Sequence, residues 1–137
     1  GLHEFLSWLK EHSIKVAVAT STTRRVAEDY WKQSGIDQYI DASVCGDEVI
    51  NSKPDPEIFL KAASLLKVPI AACMVVEDSI NGLKAARAAG AISCMIPDLT
   101  PYTKELFPFC DYVSPSLLAC KEILLQTPEA DKLKSWK

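Results

Sequence analysis

Short apolar runs of four or five residues alternate along this chain with segments whose apolar residues recur at helical spacing. That alternation confines the fold to an α/β domain built on a parallel sheet. Residues 2–12 carry Leu2, Phe5, Leu6 and Leu9 at helical spacing. Residues 15–19 form a short buried strand. A helix is predicted over 23–34, with Val26, Tyr30 and Trp31 as candidate inward residues and Gly35 as its stop. Pro56 opens a helix reaching about Lys67, with Ile58, Phe59, Ala62, Ala63 and Leu66 as its apolar stripe. Residues 73–76 and 92–96 are strands, and 42–46 and 111–113 are candidates for two more. Between them, 79–89 is a helix capped by Ser79 and ended by Gly90. A closing helix is expected within 116–125.

Composition excludes several functions. The chain has 137 residues, one domain's worth, and about half are apolar (48%), enough for a packed core. Its net charge is −3 and no basic run occurs, so a nucleic-acid partner is not expected. No apolar run approaches the roughly 18 residues of a membrane span, so no membrane partner is expected either. Lys132, Lys134 and Lys137 form only a small basic cluster, read as a solvated terminus. The start at Gly1 suggests a fragment, a processed chain or an incomplete read. Cys45, Cys73, Cys94, Cys110 and Cys120 are odd in number and contain no CxxC pair. They read as small buried hydrophobes in a reducing cytoplasm. The two histidines, His3 and His12, lie far from any paired cysteines, which argues against zinc.

Strand–helix crossovers place ligands beyond the strand C-termini. After 15–19 come Thr20, Ser21, Thr22 and Thr23, whose hydroxyls and N–H groups can hold an anion or simply cap the next helix. Lys53, held extended by Pro54, can be aimed, although a loop lysine by itself is a solvated charge. After 73–76 come Glu77 and Asp78, two carboxylates suited to a hard cation such as Mg²⁺, or a helix cap beside a solvated acid. Gly82, Ala85, Ala86 and Ala89 share a small-residue face that lets their helix lie close to the sheet.

The order of these features resembles the haloacid dehalogenase (HAD) superfamily, especially its β-phosphoglucomutase-like phosphatase group. Residues 16–22 (Val-Ala-Val-Ala-Thr-Ser-Thr) are similar to that family's second motif, 52–59 (Ser-Lys-Pro-Asp-Pro-Glu-Ile-Phe) to its third, and 75–82 (Val-Val-Glu-Asp-Ser-Ile-Asn-Gly) to its fourth. The resemblance implies a Rossmann-like HAD core over residues 1–125, a parallel sheet flanked by helices, with 126–137 as a C-terminal tail. It implies that Thr20 holds the transferring phosphoryl group beside the Ser21 N–H. Lys53 would neutralise phosphate charge, and Asp78, with Glu77, would bind Mg²⁺. It implies a small phosphorylated metabolite as partner, sugar phosphates above all. Arg24 could contact a second phosphate, as in mutase-like relatives, or be an ordinary helix charge.

Two family parts are missing from these residues. No apolar strand is followed by the nucleophilic Asp-x-Asp of the first motif, and no cap domain is present. In the family the first-motif strand lies between those at 15–19 and 73–76. Without it two inner strands expose unpaired backbone groups, so the isolated chain is expected to be poorly stable, to aggregate or to close the gap imperfectly, and to lack phosphatase activity alone. The alternatives are a phosphomutase, and a catalytically dead module that binds phosphate or a protein.

Overall fold

The computed structural model describes residues 1–97, 104–126 and 135–136. The basic residues Lys132, Lys134 and Lys137 lie outside them. Five helices are described: α1 (Leu2–Glu11), α2 (Arg24–Ser34), α3 (Glu57–Leu66), α4 (Ile80–Ala89) and α5 (Cys120–Gln126). Six strands alternate with them: β1 (Lys15–Ala19), β2 (Ala42–Val44), β3 (Cys73–Glu77), β4 (Ile92–Met95), β5 (Tyr112–Val113) and β6 (Ser135–Trp136). The strands form one sheet in the order β2-β1-β6-β3-β4-β5, and every described pairing is parallel. The expected α/β class and element order are therefore found.

Side-chain alternation assigns the two faces. Val16 of β1 and Met74 of β3 join Phe5, Leu6 and Leu9 of α1, Ala27 and Trp31 of α2, and Cys120 and Leu124 of α5 in one core. Ala17 and Val75, one residue further along each strand, join Ile58, Phe59, Ala62 and Ala63 of α3 and Ala85 and Ala86 of α4 in the other. On α2 the inward pair is Ala27 and Trp31, whereas Val26 and Tyr30 are 57% and 61% exposed. Trp31 is thus inward as expected, whereas Val26 and Tyr30 are not, and Ala27 takes the place next to Val26. Trp31, the largest side chain of this helix, takes the buried face, and the residues adjacent to the pair turn outward.

The centre of the sheet differs from its flanks. β3 and β4 pair over four residues, Met74 to Glu77 with Ile92 to Met95. Between β1 and β3 lies only the two-residue β6, which pairs Lys15 and Val16 on one side and Cys73 and Met74 on the other. Among the described residues, no strand separates Ala17–Ala19 from Val75–Glu77. This leaves a slot about 10 Å wide, two strand spacings, open at the strand C-termini. On the α1 side it is continued by a cavity of about 210 Å³ lined by Phe5, Leu9, Val16, Val18, Val76 and Leu117 among others. Residues 135–136, read from sequence as tail, thus occupy part of the gap. Unpaired strand edges recruit whatever extended backbone can reach them.

Candidate active site

β1 ends at Ala19, and the chain turns sharply at its tip. The Thr20 N–H donates to the Val44 carbonyl (3.0 Å), which ties the turn to β2. The Thr20 hydroxyl accepts from the Thr22 N–H (3.1 Å), and this leaves its own proton to donate outward. The Gly46 N–H donates to the Thr22 carbonyl (2.9 Å). A Cβ on Gly46 would overlap the Ser21 carbonyl, so the close approach of these two loops needs glycine there. Thr20 is half-buried and Ser21 exposed at the sheet end.

Lys53 reaches this end of the sheet from the loop before α3. Its ammonium donates to the Ala19 carbonyl (3.2 Å) and to Glu77 Oε2 (3.0 Å). It therefore bridges the last residue of β1 and the last residue of β3, across the mouth of the slot. The Phe59 ring lies beneath it, with Nζ 5.0 Å from the ring centroid. The Lys53 and Glu77 side chains are only 12% and 13% exposed, so each charge depends on the other for compensation. The Lys53–Pro54 peptide is cis.

Glu77 is held from its other side by the start of α4. Its Oε1 accepts from the Ser79 hydroxyl (3.1 Å) and the Asp78 N–H (3.2 Å). The Ser79 hydroxyl in turn accepts from the Gly82 N–H (3.1 Å), the cap that the sequence predicts. A Cβ on Gly82 would overlap the Glu77 carboxylate. The small residue at position 82 thus makes room for an acid, in addition to letting the helix lie near the sheet. Asp78 follows, exposed, on the wall of a cavity of about 340 Å³ shared with Val76, Ile96, Pro97, Pro115 and Leu117.

Hard oxygen ligands at a strand tip suit a divalent cation, and the Glu77–Asp78 pair offers two. Among the described residues no group of three or more His, Cys, Asp or Glu is placed to hold a metal. The pair fits part of a Mg²⁺ shell. Both Glu77 oxygens are engaged by Lys53 and the start of α4, while Asp78 stands exposed on the cavity wall.

Arg24 does not extend this constellation. Its guanidinium donates to both Glu48 oxygens (Nε 2.9 Å, Nη2 2.7 Å), to Glu28 (3.3 Å) and to the Ser43 hydroxyl and carbonyl (3.0 and 3.1 Å). These bonds clasp α2 to β2 and to the turn at Gly46–Glu48. Nearby carboxylates and Ser43 thus engage the guanidinium's planar donor fork, and none of these bonds reaches Thr20, Lys53 or Glu77. The Arg24 bond, followed by the Cys45 N–H, pulls the Glu48 carboxyl down to about 2. Burial pushes the Cys45 thiol up.

Thr20, Lys53, Glu77 and Asp78, singled out from sequence, thus lie at the C-terminal ends of β1 and β3, linked through Lys53. Three participants were not read as part of the site. The Ala19 carbonyl is backbone and carries no side-chain signal. Phe59 stood only as core. Gly46 lay in a stretch without a motif, and only the packing of its loop against Ser21 reveals its role.

A parallel sheet with an ammonium, a hydroxyl and two acids at its strand tips can hold an anion beside a hard cation. Comparison with known proteins carries this further. The sequence profile of the haloacid dehalogenase-like hydrolases matches residues 1–90. A phosphorylated carbohydrates phosphatase of Thermotoga maritima is 42% identical over 90 residues, 66% of this chain and 42% of that protein. The protein CbbY of Rhodobacter capsulatus is 35% identical over 125 residues, 87% of this chain and 53% of its own length. The crystal structure of CbbY from Rhodobacter sphaeroides in complex with phosphate superposes with a TM-score of 0.77 at 30% identity, over 85% of this chain and 53% of that one. The chain belongs to the haloacid dehalogenase-like hydrolases. It spans about half the length, or less, of the curated relatives named here.

Proposed function

We propose that this chain is the C-terminal portion of the catalytic core of a Mg²⁺-dependent phosphatase acting on small phosphorylated metabolites, with sugar phosphates as the leading class. The observation that carries the reading is the Lys53 ammonium, which spans the mouth of the slot between Ala19 and Glu77. A strand filling that slot would end beside Lys53, Thr20 and Asp78, so a carboxylate at its tip would meet all three. The nucleophilic aspartate comes from such a strand, outside these 137 residues.

In this reading the Thr20 hydroxyl and the Ser21 N–H hold the non-bridging oxygens of the phosphoryl group. Lys53 neutralises the nucleophilic carboxylate and the phosphate together and is kept in place by Glu77. Asp78, with Glu77 behind it, would hold Mg²⁺, which supplies further charge neutralisation of the phosphate when bound. Such positioning and electrostatic stabilisation dominate phosphoryl transfer. The relative named for phosphorylated carbohydrates supports the substrate class. The ties between Arg24 and Glu48 support hydrolysis over a mutase reaction, because the candidate contact for a second phosphate is engaged by a carboxylate of this chain.

The test uses the full protein carrying this chain, assayed on a panel of sugar phosphates with Mg²⁺ or with a chelator. Lys53→Met and Asp78→Asn should each lower kcat/KM by about 10²–10³-fold, and the 137-residue chain alone should be inactive. Turnover that survives both substitutions would remove the assignment. Mg²⁺-dependent turnover by the isolated chain would remove the external nucleophile.

A further inference from the structure

Cys94 and Cys120 have no part in the proposed chemistry, yet the fold brings them face to face. Cys94 lies in β4 and Cys120 opens α5, 26 residues later. Their sulfurs are 3.9 Å apart, and neither side chain reaches solvent. A disulfide needs the sulfurs at about 2.05 Å, so side-chain rotation with a small shift of α5 toward the sheet would close the pair. The third thiol nearby, Cys110, is half-exposed and unpaired among the free cysteines. The other two, Cys45 and Cys73, hydrogen-bond or pack elsewhere in the core.

We infer that Cys94 and Cys120 form an oxidisable dithiol, a modification site that closes to an intramolecular disulfide with a two-electron peroxide oxidant. The Cys120 thiol gives up its proton as its sulfur attacks one peroxide oxygen, the O–O bond breaks, and the departing hydroxide takes that proton and leaves as water, with a sulfenic acid on Cys120. The Cys94 sulfur then attacks that sulfenic sulfur, the S–O bond breaks, and a second water leaves with the Cys94 proton. Two thiols and one peroxide thus give one disulfide and two waters. The two sulfurs share a hydrogen bond that holds the Cys120 thiol below its ordinary range while Cys94 is pushed up, and this favours the order.

The link would join the two walls of the cavity beside Asp78. Ile96 and Pro97 stand two and three residues after Cys94 on one wall, and Pro115 and Leu117 precede Cys120 on the other. Cross-linking would fix the spacing of those walls and close a long loop, which raises stability.

The experiment treats the folded protein with hydrogen peroxide, blocks remaining thiols, and maps peptides without reduction. The expected result is a mass two hydrogens lower, a 94–120 cross-linked peptide, its persistence in Cys110→Ser, its loss in Cys120→Ser, and a higher melting temperature that reductant reverses. Two results would overturn the inference. One is oxidation of Cys110 while Cys94 and Cys120 stay reduced. The other is a cross-link that contains Cys110 and disappears in Cys110→Ser.

Discussion

The β3–β4 flank and the β1–β3 seam belong to the same sheet but hold together differently. At the flank, backbone hydrogen bonds run the length of both strands. At the seam, strand pairing stops after the two residues of β6, and the halves are joined by side chains packed on both faces. One core joins Val16 to Met74 beneath α1, and the other joins Ala17 to Val75 beneath α3. Across the open end, Lys53 ties β1 to Glu77. The comparison teaches that the helices, rather than the central ladder, keep this half-sheet in register, and that the candidate site lies where the ladder is missing.

Four substitutions or deletions test that contrast. Phe59→Ala should have the largest effect, because Phe59 is buried in the α3-side core and also underlies Lys53. A loss of about 3–5 kcal/mol is expected from truncating such a side chain, read from urea unfolding. Next, Glu77→Gln should cost about 2–4 kcal/mol, since it leaves the Lys53 charge poorly compensated in a nearly enclosed setting. Glu77→Gln with unchanged stability would show that the bridge over the slot does not hold the seam.

Ending the chain after residue 134 should cost less, about 1–2 kcal/mol, because it removes only a few ladder hydrogen bonds. A loss equal to that of Phe59→Ala would reverse the comparison and make β6 the main fastener. The smallest effect concerns the Arg24–Glu48 clasp at the outer edge of the β1 half. Glu48 titrates at about 2 in the folded chain against an ordinary 4.5. Its contribution is therefore complete above pH 4.5 and is lost as pH falls through 2. Melting curves of Glu48→Gln should lose that part of the acid sensitivity and keep the rest. A variant whose pH profile matches the parent's throughout would show the clasp to be energetically silent.

Most of the fold was legible in the sequence. Strand–helix alternation gave the class, and Ser79, Gly35, Gly90 and Pro56 marked helix ends where the structure has them. The inward face of α2 was read correctly at Trp31 and wrongly at Val26 and Tyr30. Val26, Tyr30 and Trp31 are all apolar or aromatic, and only packing against β1 and α1 selects Ala27 and Trp31. The candidate site was legible where a motif carried it, at Thr20, Lys53, Glu77 and Asp78. Arg24 stood close to a motif but answered to Glu48, a residue 24 positions away whose proximity no local pattern reveals.

The sequence by itself determined where strands and helices form and which charged and hydroxyl groups sit at the strand tips, because periodicity, capping and proline placement act over a few residues. Tertiary structure alone decided that the Lys53 ammonium spans β1 and β3, that Gly46 and Gly82 are the sites of closest approach, that Ser135–Trp136 enter the seam, and that Cys94 meets Cys120. Each of these depends on segments far apart in the chain coming within contact distance, and such contacts are set by how the layers pack.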